Sequence, residues 1–337
     1  MNMSSFRKAF AFFYVIFSIL TTSAQKDPGL AVIVNEAAQN PYITEYGHPD
    51  ISAHRSGAGI APQNTLMAFE VCVDAEDFVI DFFEFDVQIT KDGELVLLHD
   101  QTYDNTSNAV EYFGKSDVNP KDYTYEELHN NLNLGAKFKK GETDYADLRG
   151  EDIPYNLRVL RCEEILDFTE QHADPEKPYR YMIEIKSRFS SGKRAVDKLY
   201  SVLKERNLLD KTIVSTYWPD IHSYIDKNYP DITRTSGLIE MAEFYYYCKK
   251  GLDLNQAKIQ YDVLQLPYGK NVMPWGKEII NLGTSEIINY AHKYDLAVQY
   301  WTVNDAENMI YLRDNGADAI MTDWPALACE VLAGTPD

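Results

Sequence analysis

Between Ile51 and Asp100 two histidines, each followed by a charged residue, bracket a Glu-x-Asp pair: His54-Arg55, Glu84-Phe85-Asp86 and His99-Asp100. Two imidazoles supply what displacement at phosphorus needs, because one takes a proton from a nucleophile while the other gives one to a leaving alkoxide. Carboxylates hold a hard divalent cation, and a neighbouring guanidinium grips phosphoryl oxygens. On a strand, Glu84 and Asp86 leave the same face, since residues two apart point the same way. Any one of these residues alone fits a solvated charge or a core histidine. Together they differ, because each closes an apolar run: Ile51-Ser52-Ala53, Ile80-Asp81-Phe82-Phe83 and Leu95 to Leu98. Charges placed repeatedly at strand C-terminal ends describe a site.

The elements that must position them alternate along the chain. Strands are expected at Ile51–Ala53, Phe82–Val87, Arg180–Ile185, Thr212–Ser215, Thr233–Leu238, Val263–Leu266, Ala297–Trp301 and Ala319–Met321. Helical periodicity separates many of them, over Thr65–Val73, Cys162–Gln171, Ala195–Glu205 and Ser285–Tyr294, with Asn64 and Thr284 as N-caps. Eight strands alternating with helices predict the α/β class and a TIM-type (β/α)8 barrel. Leu95–Leu98 pairs as an extra hairpin arm on the second strand. A doubly wound open sheet is the alternative, but no glycine-rich fingerprint follows the first strand. Residues 101–155 show no strong period and are rich in Tyr, Asn, Asp and Gly. A stretch this long reads as an insertion after the second strand region, over the mouth of the site, with a gating or selectivity role.

The chain has 337 residues, 45% of them hydrophobic, enough for one barrel with a sizeable core, residues 51–335. Its 52 Asp+Glu against 32 Lys+Arg give a net charge of −20. That balance excludes nucleic acid as a natural partner and disfavours anionic membranes, leaving small molecules. Residues 1–24 read as a signal peptide: Arg7 and Lys8, an apolar run from Ala9 to Leu20, then Thr22-Ser23-Ala24. The run falls short of the roughly 20 residues that span a bilayer. The chain is therefore expected to be exported, periplasmic or secreted, with no membrane span after cleavage. Residues 25–50 form a poorly patterned lead. Cys72, Cys162, Cys248 and Cys329 are scattered without framework spacing, so no disulfide is assigned.

The motifs resemble those of the glycerophosphodiester phosphodiesterases, in the phospholipase-C-like phosphodiesterase superfamily. That family's runs are His-Arg-Gly, Pro-Glu-Asn-Thr, Glu-x-Asp, Thr-x-Asp-Gly and His-Asp. Here they read His54-Arg55-Ser56-Gly57, Pro62-Gln63-Asn64-Thr65, Glu84-Phe85-Asp86, Thr90-Lys91-Asp92-Gly93 and His99-Asp100. Glu184-Ile185-Lys186 is similar to its Glu-x-Lys, Trp301-Thr302-Val303-Asn304 to its Trp-Thr-Val-Asn. The run from Gly316 through Thr322-Asp323-Trp324-Pro325 is similar to its closing motif.

The resemblance implies one divalent cation, Ca²⁺ or Mg²⁺, held by Glu84, Asp86 and Glu184. It implies His54 and His99 as general acid and base, with Arg55, Lys186 and Trp301 binding phosphate or substrate. All three proposed ligands offer oxygen, the donor that hard cations prefer. The implied reaction is hydrolysis of a glycerophosphodiester to glycerol 3-phosphate and an alcohol. The alternatives are a lysophospholipid or phosphoinositide phosphodiesterase, with Tyr103, Tyr112, Phe113, Tyr123 and Tyr125 holding an acyl chain, and a non-catalytic ligand-binding barrel. Three positions depart from the pattern: Ser56 for glycine, Gln63 for glutamate, and Asn105-Thr106-Ser107 for Arg-Thr-Thr. They bear on the headgroup rather than on the reaction.

Overall fold

The computed structural model describes residues 38–268 and 281–333, so the leader expected over residues 1–24 lies outside the described residues. The strands are β1 (Asp50–Ala53), β2 (Phe82–Ile89), β3 (Leu95–Leu97), β4 (Arg180–Ile185), β5 (Thr212–Ser215), β6 (Val263–Pro267), β7 (Ala297–Trp301) and β8 (Ala319–Thr322). All but β3 pair in parallel, in the order β5-β4-β2-β1-β8-β7-β6. The gap between β5 and β6 is closed by two bridges, Val214 to Arg234 and Thr235 to Val263. This is the α/β barrel expected from the alternation.

One expected strand is nearly lost. The strand expected over Thr233–Leu238 shrinks to the bridging pair Arg234 and Thr235, and Leu238 already opens a helix, Leu238–Lys250. The Glu240 carboxylate accepts the Gly237 backbone N–H at 2.7 Å and starts that helix early. β3 pairs antiparallel with β2, as the Leu95–Leu98 run predicts.

β2 shows how the barrel separates core from site. All eight of its residues are buried. Phe83, Phe85, Val87 and Ile89 join the large cluster under the helices, and Phe82 enters a smaller cluster with Met182, Ile213, Val263, Ala297 and Met321. A strand covered on both faces reads as a hydrophobic run, so Glu84 and Asp86 are the anomalies that mark chemistry. Tyr42, from the lead, joins the smaller cluster at 2% exposure, so this poorly patterned segment helps fill the barrel interior.

The helix expected from Ala195 begins at Phe189 and runs to Glu205. Its first turns carry Gly192, where a Cβ would lie 2.6 Å from Ile221 Cδ1, so close helix packing there requires glycine. The helix Leu66–Val73 is capped by the Thr65 hydroxyl, not by Asn64, whose side chain is committed elsewhere.

Residues 101–155 contain short helices, Ala109–Phe113 and Tyr125–His129, and several single turns. They build a separate core of Tyr103, Ala109, Val118, Tyr123, Leu128, Leu132 and Leu134 against Val96, Leu98 and Val159. Elements this short give no periodic signal, because each turn buries only one or two apolar residues. The four cysteines are free thiols. Among the described residues no helix is long and apolar enough to cross a membrane.

Candidate active site

β1 delivers His54 and then turns sharply. Arg55, Ser56 and Gly57 take φ values of +48°, +64° and +93°, three consecutive left-handed residues. The turn aims the Arg55 backbone N–H at Glu84 Oε2, 2.7 Å away. It also explains the family's glycine: the position held by Ser56 has a backbone that glycine adopts without strain.

Register brings the acids together. Asp86 on β2 lies directly opposite Glu184 on β4. One oxygen each from Glu84, Asp86 and Glu184 falls within 4.8 Å of the others. Lys186, two residues beyond Glu184, puts Nζ 2.8 Å from Glu184 Oε2 and 3.1 Å from Asp86 Oδ1. Burial and the nearby Asp86 charge push the Glu84 carboxyl well above its ordinary range. Burial pushes the Asp86 carboxyl the same way, but the charges of Lys186, His99 and Arg55, with an Asn64 hydrogen bond, bring it down to about 2. Lys186 stays firmly charged: burial opposes it, but Asp86 and Glu184 dominate.

The cluster fits a divalent cation. Glu184 Oε1 is buried without a hydrogen-bond partner, and such an oxygen is costly unless something completes it. Three convergent carboxylates match Ca²⁺ or Mg²⁺ rather than a thiophilic metal.

The imidazoles are held by separate carboxylates. His54 Nδ1 lies 2.6 Å from Asp323 Oδ1, just past β8. Asn304 donates to Asp323 Oδ2 at 2.6 Å and accepts the Asp323 backbone N–H at 2.9 Å. Burial lowers the His54 pKa, against the raising effect of Asp323. His99 Nδ1 lies 2.9 Å from Asp100 Oδ1, whose other oxygen accepts from Asn105 at 3.1 Å. In each case the carboxylate engages Nδ1 and leaves Nε2 for other chemistry. His99 also borders a cavity of about 10 Å³ walled by Gln63, Asn64 and, from the insertion, Tyr103, Thr106 and Leu134.

Of the residues picked out in the sequence, Arg55, Glu84, Asp86, Glu184 and Lys186 are joined by these contacts, and His54, directly before Arg55 in the β1 turn, is near enough to feel the Asp86 charge. His99 is near enough to act on Asp86. Trp301 connects through Tyr217, whose ring is edge-on to it at 6.4 Å and 5.7 Å from Lys186 Nζ. Tyr217 was missed, because it carries no motif and only its place after β5 brings it here. Asn64, expected as a helix cap, instead donates to Asp86 Oδ2 at 2.9 Å and accepts the Asp86 N–H at 3.1 Å. Its left-handed backbone, φ +57°, turns it there. Asp323 and Asn304 were visible within motifs but had no role until the barrel closed. Tyr103 and Tyr123 are buried in the insertion's core, with Tyr103 also walling the small cavity beside His99.

The glycerophosphoryl diester phosphodiesterase family model matches residues 54–327. The chain belongs to this family. A glycerophosphodiester phosphodiesterase of Caldanaerobacter subterraneus is 28% identical over 276 residues, covering 82% of this chain and 94% of that one. Two solved structures share the family fold. A glycerophosphodiester phosphodiesterase from Agrobacterium tumefaciens gives a TM-score of 0.59 at 17% identity, covering 83% of this chain and 99% of its own. An Oleispira antarctica phosphodiesterase in complex with the product sn-glycerol-3-phosphate gives 0.62 at 18% identity, covering 85% and 98%. The family match begins at His54 and ends two residues beyond the closing Thr-Asp-x-Pro run, so it spans every side chain of the site.

Proposed function

We propose that this family member hydrolyses glycerophosphodiesters to glycerol 3-phosphate and an alcohol, with His54 and His99 as the acid–base pair and Glu84, Asp86 and Glu184 holding one divalent cation. The observation that carries the reading is the convergence of three carboxylates, two buried and Glu184 partly buried, beside two imidazoles each oriented by its own carboxylate. The relative from Caldanaerobacter bears that activity in its name, and the Oleispira neighbour holds sn-glycerol-3-phosphate as product.

The cation, Ca²⁺ or Mg²⁺, supplies Lewis-acid stabilisation of the charge that develops on a phosphoryl oxygen. The chain's own residues do the rest. Lys186 and Arg55 bind the remaining phosphoryl oxygens, and Tyr217 and Trp301, beside Lys186, contact the carbon skeleton of the substrate. Two imidazoles on separate strands suit in-line displacement, where nucleophile and leaving group lie on opposite sides of phosphorus. The insertion, through Tyr103, Thr106 and Leu134, shapes the edge beside His99 and so bears on which alcohol is accepted. Residues 1–24 direct export and are removed, leaving the barrel of residues 51–335 as the working unit in the periplasm or outside the cell.

The test couples glycerol 3-phosphate release from glycerophosphocholine and glycerophosphoethanolamine to a dehydrogenase. Release is expected to stop with EDTA, return with Ca²⁺ or Mg²⁺, and vanish in Glu84→Ala. Turnover unaffected by chelation would remove the cation from the reading. The N-terminal sequence of exported protein, expected to begin at Gln25, tests the leader.

A further inference from the structure

We propose that Gln265 and Gln299 form a hydroxyl-recognising floor beside the carboxylate cluster, a specificity-determining pair that binds the free hydroxyls of the substrate's glycerol end. The inference rests on the proposed phosphodiesterase reading and deepens it by narrowing the substrate class to diesters whose glycerol is not acylated.

The interior of an eight-stranded barrel is ordinarily filled by branched apolar side chains. Here one row of it is polar. Ser215 on β5 lies directly opposite Glu184 on β4, and Gln265 on β6 lies directly opposite Gln299 on β7. Thr235 Oγ1 donates to Ser215 Oγ at 3.0 Å, and Ser215 Oγ donates to Gln265 Oε1 at 3.2 Å. This relay fixes the Gln265 amide with its Nε2 on the sulfur of Met182, two residues before Glu184 on the same face of β4. The amide therefore reaches across the barrel to a place just below one of the three clustered carboxylates.

Much of the hydrogen-bonding capacity in this row is unmet. Gln299 shares a strand face with Ala297, a member of the barrel-interior cluster, and with Trp301, which packs against that cluster. Its side chain thus points inward below Trp301. It is 2% exposed, and among the described residues neither its Nε2 nor its Oε1 has a hydrogen-bond partner. Gln265 Nε2 is poorly served as well, because a thioether is a weak acceptor. A buried amide left unpaired is costly.

The group that completes two neutral amides must donate and accept while carrying no charge, and a hydroxyl does both. In the proposed reaction the phosphoryl group sits on the cation and Lys186. The substituent of phosphorus on the β5–β7 side then lies over Gln265 and Gln299, beneath Tyr217 and Trp301. The edge beside His99 is left for the alcohol. A fatty ester on the glycerol has lost the hydroxyl donor, so the floor selects deacylated diesters.

Calorimetry on the Ca²⁺-loaded protein compares sn-glycerol 3-phosphate with propyl phosphate, which keeps the phosphate and the three carbons but lacks both hydroxyls. Buried hydrogen bonds of this kind are expected to make wild type bind glycerol 3-phosphate about 10–100-fold more tightly. Gln299→Met and Gln265→Met should each lose about tenfold of that preference, leave propyl phosphate binding unchanged, and lower kcat/KM for glycerophosphocholine about tenfold. Gln299→Met should melt no lower than wild type, since it deletes an unmet amide; if it fails to fold, Gln265→Met carries the same comparison. Equal binding of the two phosphates by wild type overturns the proposal. So does full glycerol 3-phosphate affinity in the variants, which would show that the floor holds water only. If no diester is turned over but the hydroxyl preference is present in wild type and lost in the variants, the floor stands and the hydrolytic reading falls.

Discussion

His54 Nδ1 and Asp323 Oδ1 lie 2.6 Å apart although 269 residues separate them in the chain. The contact exists because β1 and β8 are neighbours in the closed barrel, with Ala53 paired to Thr322. It fixes the His54 ring and its tautomer, and Asn304 holds the aspartate in turn.

Asp323→Asn should therefore lower kcat by about 10²–10⁴-fold while changing KM little, because the amide favours the wrong tautomer. Steady-state kinetics beside a thermal melt separates this from misfolding. A kcat within a factor of three of wild type would remove Asp323 from the machinery.

Lys186 neutralises Asp86 and Glu184 from a buried position. Replacing it with methionine strands those carboxylates, and breaking a buried pair from one side costs about 3–5 kcal/mol. The Lys186→Met protein should melt well below wild type in EDTA. Ca²⁺ should raise its Tm by more than it raises that of wild type, since a competing cation has gone from the ligands. An equal Ca²⁺ shift in both proteins would argue against the carboxylate cluster as the cation site.

Ser56 combines a left-handed backbone with a fully buried hydroxyl that has no partner. Ser56→Gly relieves both, so unfolding should cost about 1 kcal/mol more than in wild type, even after the added freedom of the unfolded glycine. Denaturant unfolding measures it. A destabilised Ser56→Gly would show that the hydroxyl has a partner of its own.

Arg234 is buried between Asp226 and Glu240, and Glu240 also meets His222 at 3.3 Å. Burial raises the Glu240 pKa, but His222 and Arg234 outweigh it and bring it to about 2. A carboxyl depressed in the folded state adds stability that is complete above its ordinary pKa of 4.5 and lost as pH falls towards 2. Acid unfolding should therefore steepen below about pH 4.5. Glu240→Gln should flatten that slope while lowering stability at neutral pH by roughly 2–3 kcal/mol.

The chemistry was legible because its residue types are anomalous where they stand. Glu84 and Asp86 interrupt an apolar strand, and histidines close two others, so local pattern alone marks them. Strand and helix alternation likewise pointed to the α/β class, since most strands stand out as apolar runs and four of the helices carry their own period. By contrast, residues 101–155 form a packed subdomain whose turns are too short to carry a period, and the Arg234–Thr235 closure is only two residues long.

The sequence by itself determined which acids, bases and cations this protein carries and the strands that bear them, because those are properties of single residues and near neighbours. Only the tertiary structure decided how they are paired: Asp86 against Glu184 by β2–β4 register, His54 against Asp323 by closure of β1 on β8, Asn64 turned onto Asp86 instead of capping a helix, and Tyr217 brought over Lys186. Each of those pairings depends on strand order and register, which are set by the packing of the whole barrel and by no local pattern.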